Sequence, residues 1–328
     1  MSAEQLAGLS DLFVVAAVLL YVLAMVGFAI ELAFGRTHPG RAAAGSAGAQ
    51  VTVKEPVAVG AGAGGAGEPV TTDAGPAVPP VPLGEPLGKG VARAGMVALG
   101  LAWLGWAANL TAIVSRGLAV ERWPWGNMYE FVVAISFAAV TAFLLTQLRH
   151  SVRFLGPFVM VTAALGLGLA VKVFYTSAGP VVPALNSYWI AIHVTAAITA
   201  SGLLTLAGVS GVLYLMRGDG VSRLPSREDL ERVAHRAIVF AFPVWTFAVI
   251  AGALWADRAW GRYWGWDPKE IWSFITWVAY AAYLHARVTA GWRGKAATIV
   301  QLLAFGCLLF NLIGVNVFIS GLHSYADV

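Results

Sequence analysis

Four tryptophans fall within twelve residues at Trp255, Trp260, Trp264 and Trp266, and Trp272 follows. Such a density suits a platform for a large, flat, apolar ligand. Trp264 and Trp266 stand two apart, so an extended backbone would turn both rings to one face. Gly265 between them would let a ligand approach the main chain closely. Asp267 and Pro268 then open a helix, as a favoured N-cap and a favoured first helical residue, and this capping role stands beside any role in binding. A porphyrin offers a broad π-face and two propionates. The tryptophans would supply the face, and Arg258, Arg262 or Lys269 would pair the propionates. The competing reading is an aromatic belt at the lipid headgroups, but a belt marks both interfaces. Here Trp123, Trp125, Trp189, Trp255, Trp260, Trp264, Trp266 and Trp272 gather at one side, with Trp292 alone at the other.

Of the six histidines, His38, His150 and His235 are read as solvated groups without a role. His193 lies in the stretch Pro183-Ala184-Leu185-Asn186-Ser187-Tyr188-Trp189 and the residues after it, and His323 lies in Leu322-His323-Ser324-Tyr325. Both fall on the side of the tryptophan loop. Two imidazoles flanking such a platform suit axial ligation of haem iron from both faces. His285 is set apart, fifteen residues beyond Glu270, or about 22 Å along a helix. An ionisable group inside a membrane is a functional candidate: His285 either ligates a second, deeper haem with a partner's histidine or bonds a neighbouring carbonyl.

These residues need a scaffold, and composition names it. Hydrophobic residues make up 59% of the 328 and charged residues 12%, about half the charged share of a soluble domain. The apolar residues come in blocks of bilayer length, which must be helical to satisfy their own backbone. The fold class is all-α, a polytopic membrane protein of about eight spans at 12–34, 93–115, 127–148, 154–174, 188–216, 237–256, 270–290 and 297–320. Residues 1–35 form an accessory transmembrane helix, 36–90 a Gly/Ala/Pro-rich cytoplasmic linker without periodicity and expected to be disordered, and 91–328 a seven-helix membrane domain. The first block starts with Glu4 and Asp11 rather than a positive region, so it reads as a retained helix and not a signal peptide. With the N-terminus outside, fifteen Lys and Arg fall on the cytoplasmic side and six on the other, as the positive-inside rule requires. The C-terminus and the tryptophan loop are then extracytoplasmic. The single cysteine, Cys307, cannot form an internal redox pair, and the net charge of +4 reads as topology, with no nucleic-acid partner.

The string Trp264-Gly265-Trp266-Asp267-Pro268-Lys269-Glu270, followed by Trp272 and Ser273, resembles the tryptophan-rich WWD signature of haem-handling proteins. Its Pro-Lys-Glu continuation resembles the CcsA/ResC family of System II cytochrome c biogenesis, called CcsB in actinobacteria. The stretches leading to His193 and around His323 resemble that family too. So does Gly126-Asn127-Met128-Tyr129-Glu130, although Phe131 stands where the family usually has Ser. The resemblance covers about residues 91–328. It implies haem export across the cytoplasmic membrane and a haem-lyase (holocytochrome c synthase) role beside a ResB-type partner. Haem b would be bound by His193 and His323 as external axial ligands, and by His285 with a partner histidine inside the membrane. The substrate would be an apocytochrome c CxxCH segment, kept reduced by a separate thioredoxin-like pathway. Two rivals remain: a haem transporter without synthase chemistry, and a b-type redox cytochrome, which would want paired histidines at both membrane levels.

Overall fold

The computed structural model describes residues 1–35, 88–181, 185, 187–218, 222–289 and 291–323. Eight long helices account for most of them: α1 (Ala3–Phe34), α2 (Lys89–Val120), α3 (Met128–Arg149), α4 (Gly156–Lys172), α5 (Tyr188–Met216), α6 (Arg227–Trp260), α7 (Pro268–Thr289) and α8 (Lys295–Leu309). A π turn at Phe310–Gly314 carries α8 into the short α9 (Val315–Phe318). Among the described residues, seven segments are long and apolar enough to cross a membrane. The expected eighth span, α7, is a helix of 22 residues, or about 33 Å. It falls outside that apolar set because Lys269, Glu270, His285 and Arg287 interrupt it. The protein is a multi-pass helical membrane protein.

The linker expected over 36–90 lies, up to residue 87, outside the described residues. Lys89 and Gly90, assigned to it from composition, already form the first turn of α2. Helix α6 likewise begins ten residues before the expected span, where the Ser226 hydroxyl accepts from the Asp229 amide and caps a polar extension.

Helix α1, expected as an accessory, is packed into the bundle. Ser10, Val14, Ala17, Tyr21, Ala24 and Phe28 form one buried seam at helical spacing. The α2 face opposite is built of Gly95, Ala98, Ala102 and Gly105; such small residues let membrane helices approach closely. A Cβ on Gly105 would stand 2.6 Å from the Tyr21 ring. Polar ties close both ends: Ser10 donates to the Ala112 carbonyl at 2.8 Å, and Glu31 pairs with Arg153 at 3.1 Å.

Helix α5 is the axis of the bundle and the most buried span. Gly202 sits against Ala138 of α3, Gly208 against Phe305 of α8, and Gly211 against Gln301 of α8. Helix α6 turns Ala234, Ile238, Ala241, Trp245, Ala248 and Trp255 inward at a three-to-four spacing. This close contact of α5 with α6 sets the level at which His193 meets the tryptophans.

Candidate functional site

At the N-terminal end of α5, His193 points at α6. Its Nδ1 lies 2.7 Å from the Ala248 carbonyl oxygen. A carbonyl only accepts, so Nδ1 carries the proton and Nε2 keeps its lone pair. Gly252, one turn beyond Ala248, makes the approach possible: a Cβ there would stand 2.7 Å from the His193 ring. The ring lies parallel to Trp255, with centroids 6.2 Å apart and an interplanar angle of 6°.

His323 reaches the same tryptophan from the chain's other end. It meets Trp255 edge-on at 5.7 Å and Trp260 at 4.9 Å. Its Nδ1 donates to Asp267 Oδ2 at 2.7 Å, so the proton of the neutral ring sits on Nδ1. The second oxygen, Asp267 Oδ1, accepts the Leu322 amide at 2.8 Å. Asp267 also caps α7, through the Lys269 amide on Oδ2 at 3.2 Å and the Ile271 amide on its carbonyl at 2.9 Å. Capping and histidine orientation are therefore carried by one carboxylate. Burial pushes the Asp267 carboxyl up, but the bonds from His323, Leu322 and Lys269 outweigh it and hold the group below its ordinary value.

The two histidines border one cavity together with Trp125, Trp245, Trp255, Trp264 and Lys269. Lys269 Nζ donates to the Asn311 carbonyl at 2.7 Å, an oxygen presented by the π turn at Phe310–Gly314. It forms no ion pair among the described residues, so it remains the cation available to an anionic group. The donor set therefore suits a haem: two imidazoles with Nδ1 tied back, an aromatic wall and one cation for a propionate. The cavity holds about 130 Å³, less than the ~300 Å³ of a typical small ligand site. A whole porphyrin exceeds that volume.

Several sequence expectations are corrected here. Trp264 and Trp266 do not share a face. Their rings stand 5.8 Å apart at 90°, because Trp266 takes a left-handed backbone with φ of 59°, where the alternation of an extended strand does not hold. Trp264 lines the cavity, whereas Trp266 is 64% exposed. Trp260 packs behind Trp255 at 4.8 Å. Of the three proposed cations, Lys269 alone reaches the cavity. Arg258 is exposed in the last turn of α6, and Arg262 pairs with Glu270 at 3.8 Å. That glutamate accepts the Gly265 and Asp267 amides at 2.8 and 3.0 Å, holding the loop against α7. Val182, Pro183, Ala184 and Asn186 before His193, and Ser324 and Tyr325 after His323, lie outside the described residues.

His285 sits apart from this cavity. It is exposed on α7, with Nδ1 3.4 Å from the Thr289 hydroxyl. The α7 residues beside it meet the start of α6, Tyr283 at His235 and Arg287 at Glu231. The Gly126–Glu130 stretch, by contrast, buttresses the cavity. Glu130, 3% exposed, binds Arg116 at 3.0 Å, Arg122 at 2.9 Å and the Gly126 amide at 2.7 Å. This fixes Trp125, Met128 and Phe131 in the cavity wall. Sequence reasoning grouped Trp125 with the tryptophans of that side without assigning it to the site, and missed Trp245, Gly252 and Asn311. Gly252 left a faint signal, a lone glycine in an apolar helix; Trp245 and Asn311 left none.

The fold and site define a multi-pass helical membrane protein that brings two imidazoles onto one buried tryptophan, Trp255. Comparison with known proteins narrows the class. The model of the Cytochrome C assembly protein family matches residues 125–323. The Cytochrome c biogenesis protein CcsA of Synechococcus elongatus is 31% identical, over 72% of this chain and 88% of that one. CcsA of Parasynechococcus marenigrum is 35% identical, over 71% and 87%. A solved structure, Cytochrome c Heme Lyase CcmF, superposes with a TM-score of 0.57 at 16% identity, over 95% of this chain and 47% of that one. The chain thus spans about half that structure's length, and the likeness is one of fold. This chain belongs to the cytochrome c assembly protein family. Its role lies in cytochrome c maturation and, with it, the handling of haem.

Proposed function

We propose that the chain is the haem-presenting subunit of a System II cytochrome c synthase. It carries haem b outward through the cytoplasmic membrane and holds it at the extracytoplasmic end for attachment to an apocytochrome c CxxCH segment. One observation carries this reading: His193 and His323 border one cavity on Trp255, and each has Nδ1 committed to an oxygen acceptor. Two imidazoles with Nδ1 so engaged would have Nε2 as the nitrogen to offer an iron.

His285 supports an inner stage of the path. It is exposed on α7 about 22 Å from the cavity level, which leaves it open to a second ligand from a partner. A ResB-type membrane partner bringing a histidine to this face would supply it. At the outer site this chain binds, orients and excludes water. The apocytochrome histidine displaces one of the two imidazoles. Each cysteine thiol then adds across a vinyl group, its sulfur to one carbon and its hydrogen to the other, with no net oxidant required. The thiols have to arrive reduced, which a separate thioredoxin-like pathway would ensure.

The test separates ligation from packing. His193→Gly and His323→Gly each lose cytochrome c assembly, and added imidazole partly restores it. Trp264→Ala, which removes a wall of the cavity, is not restored. Equal rescue of both classes, or rescue of neither in folded protein, refutes axial ligation by these histidines.

A further inference from the structure

A second cavity, larger than the first, lies at the other end of the bundle. Trp125 and Met128 border the haem-site cavity at the start of α3, and Arg149 closes that helix about 32 Å away, at the rim of this second cavity of about 1030 Å³. Its rim carries Arg149, Arg153, Arg223, Arg232 and Arg236 against the carboxylates of Glu31 and Asp229, three positive charges in excess. Arg153 is paired with Glu31 at 3.1 Å and Arg232 with Asp229 at 2.6 Å. Arg149 and Arg223 have no anionic partner among the described residues, and Arg236 meets only the His150 ring, at 3.1 Å. Below this rim the wall is apolar, with Phe28 of α1, Leu145 of α3, Leu203 and Leu206 of α5 and Phe240 of α6.

We infer that this cavity is a binding site for one anionic phospholipid. The phosphate is held by Arg149, Arg223 and Arg236, and an acyl chain lies along Phe28, Leu206 and Phe240. A charged rim over an apolar wall, at the level where the helices end, matches a lipid part for part. Surplus arginine charge selects an anionic headgroup over a zwitterionic one. Haem is the other amphipathic anion to consider, but the histidine here, His150, has Nε2 engaged by Arg236 and offers iron no lone pair. The site joins α1, α3, α5 and α6, so the lipid bridges the first helix to the core of the bundle.

Native mass spectrometry of the full chain tests this, using phosphatidylglycerol and phosphatidylcholine of matched chain length. One phosphatidylglycerol per chain is retained in preference to phosphatidylcholine. Neutralising each arginine with Gln lowers retention about fivefold, and the Arg149→Gln, Arg223→Gln, Arg236→Gln triple variant about a hundredfold. Arg293→Gln, outside the cavity, leaves retention unchanged. Should the triple variant not fold, Arg223→Gln alone, at an exposed loop side chain, gives the same reading at its smaller amplitude. Equal retention of the two lipids overturns the inference, as does full retention in the variants. Displacement of the lipid by inorganic phosphate alone would make this a free-anion site, and displacement by haem that depends on the same arginines would make it a haem site; both also overturn it.

Discussion

Asp267→Asn removes one charge and exchanges one oxygen for an NH2 group in a carboxylate whose two oxygens are both in use. Oδ2 accepts from His323 at 2.7 Å and from the Lys269 amide at 3.2 Å, and Oδ1 from the Leu322 amide at 2.8 Å. An amide offers one oxygen. If it keeps the Oδ1 position, its NH2 meets the His323 Nδ1–H, and the imidazole has to change tautomer and place its proton on Nε2, the nitrogen meant for iron. If it keeps the Oδ2 position, the NH2 meets the Leu322 amide, and the segment carrying His323 loses its anchor. Either orientation sacrifices a charge-assisted hydrogen bond, worth about 2 kcal/mol, or roughly thirtyfold in haem affinity. That lies within the ~10–100-fold range typical of losing a ligand's outer partner. The assay is haem per chain by pyridine haemochrome, with the rate at which added imidazole exchanges at the iron. The variant should hold about thirtyfold less tightly and exchange faster at the His323 position, while helix content is unchanged. A folded Asp267→Asn protein with full haem content and unaltered exchange would show that Asp267 serves only as the cap of α7.

Three further outcomes follow from the same geometry. A reporter fused after Val328 reads as extracytoplasmic and one inserted within 217–236 as cytoplasmic; a cytoplasmic C-terminus would part His323 from the outer face and end the proposed path. His285→Ala empties the outer site as well as the inner one, whereas His193→Ala keeps haem at the inner level; full outer loading of His285→Ala, measured by haem content, refutes inward-to-outward transfer. Gly252→Ala places a Cβ 2.7 Å from the His193 ring, an overpacking that costs about 1–3 kcal/mol and breaks the bond to Ala248; thermal unfolding and the low-spin haem spectrum report the two effects separately.

Much of the scaffold was legible in the order of residues. Apolar runs near twenty residues have to be helices in lipid because nothing else satisfies their backbone, and seven of the eight expected spans match helices of the required length and apolarity. The eighth was legible as a helix from Asp267-Pro268 and less so as an apolar span. His193 and His323 stood out because imidazoles at one end of the bundle shared that end with a tryptophan cluster, and the WWD-like string pointed to the right family. Their convergence on Trp255 was not legible, since α5, α6 and the tail meet only through the packing of small residues such as Gly252. The cations show the same division. Arg258, Arg262 and Lys269 lie within twelve residues and read alike in sequence. The fold turns the first to solvent, ties the second to Glu270, and sets the third, half-buried, against the carbonyl of Asn311 in a π turn forty-two residues on. Residue type and spacing set which chemistry is available and which helix carries it. The direction of a side chain, as at Trp266 with its positive φ, depends on local dihedrals and on neighbours brought from distant sequence, and those exist only once the helices have packed.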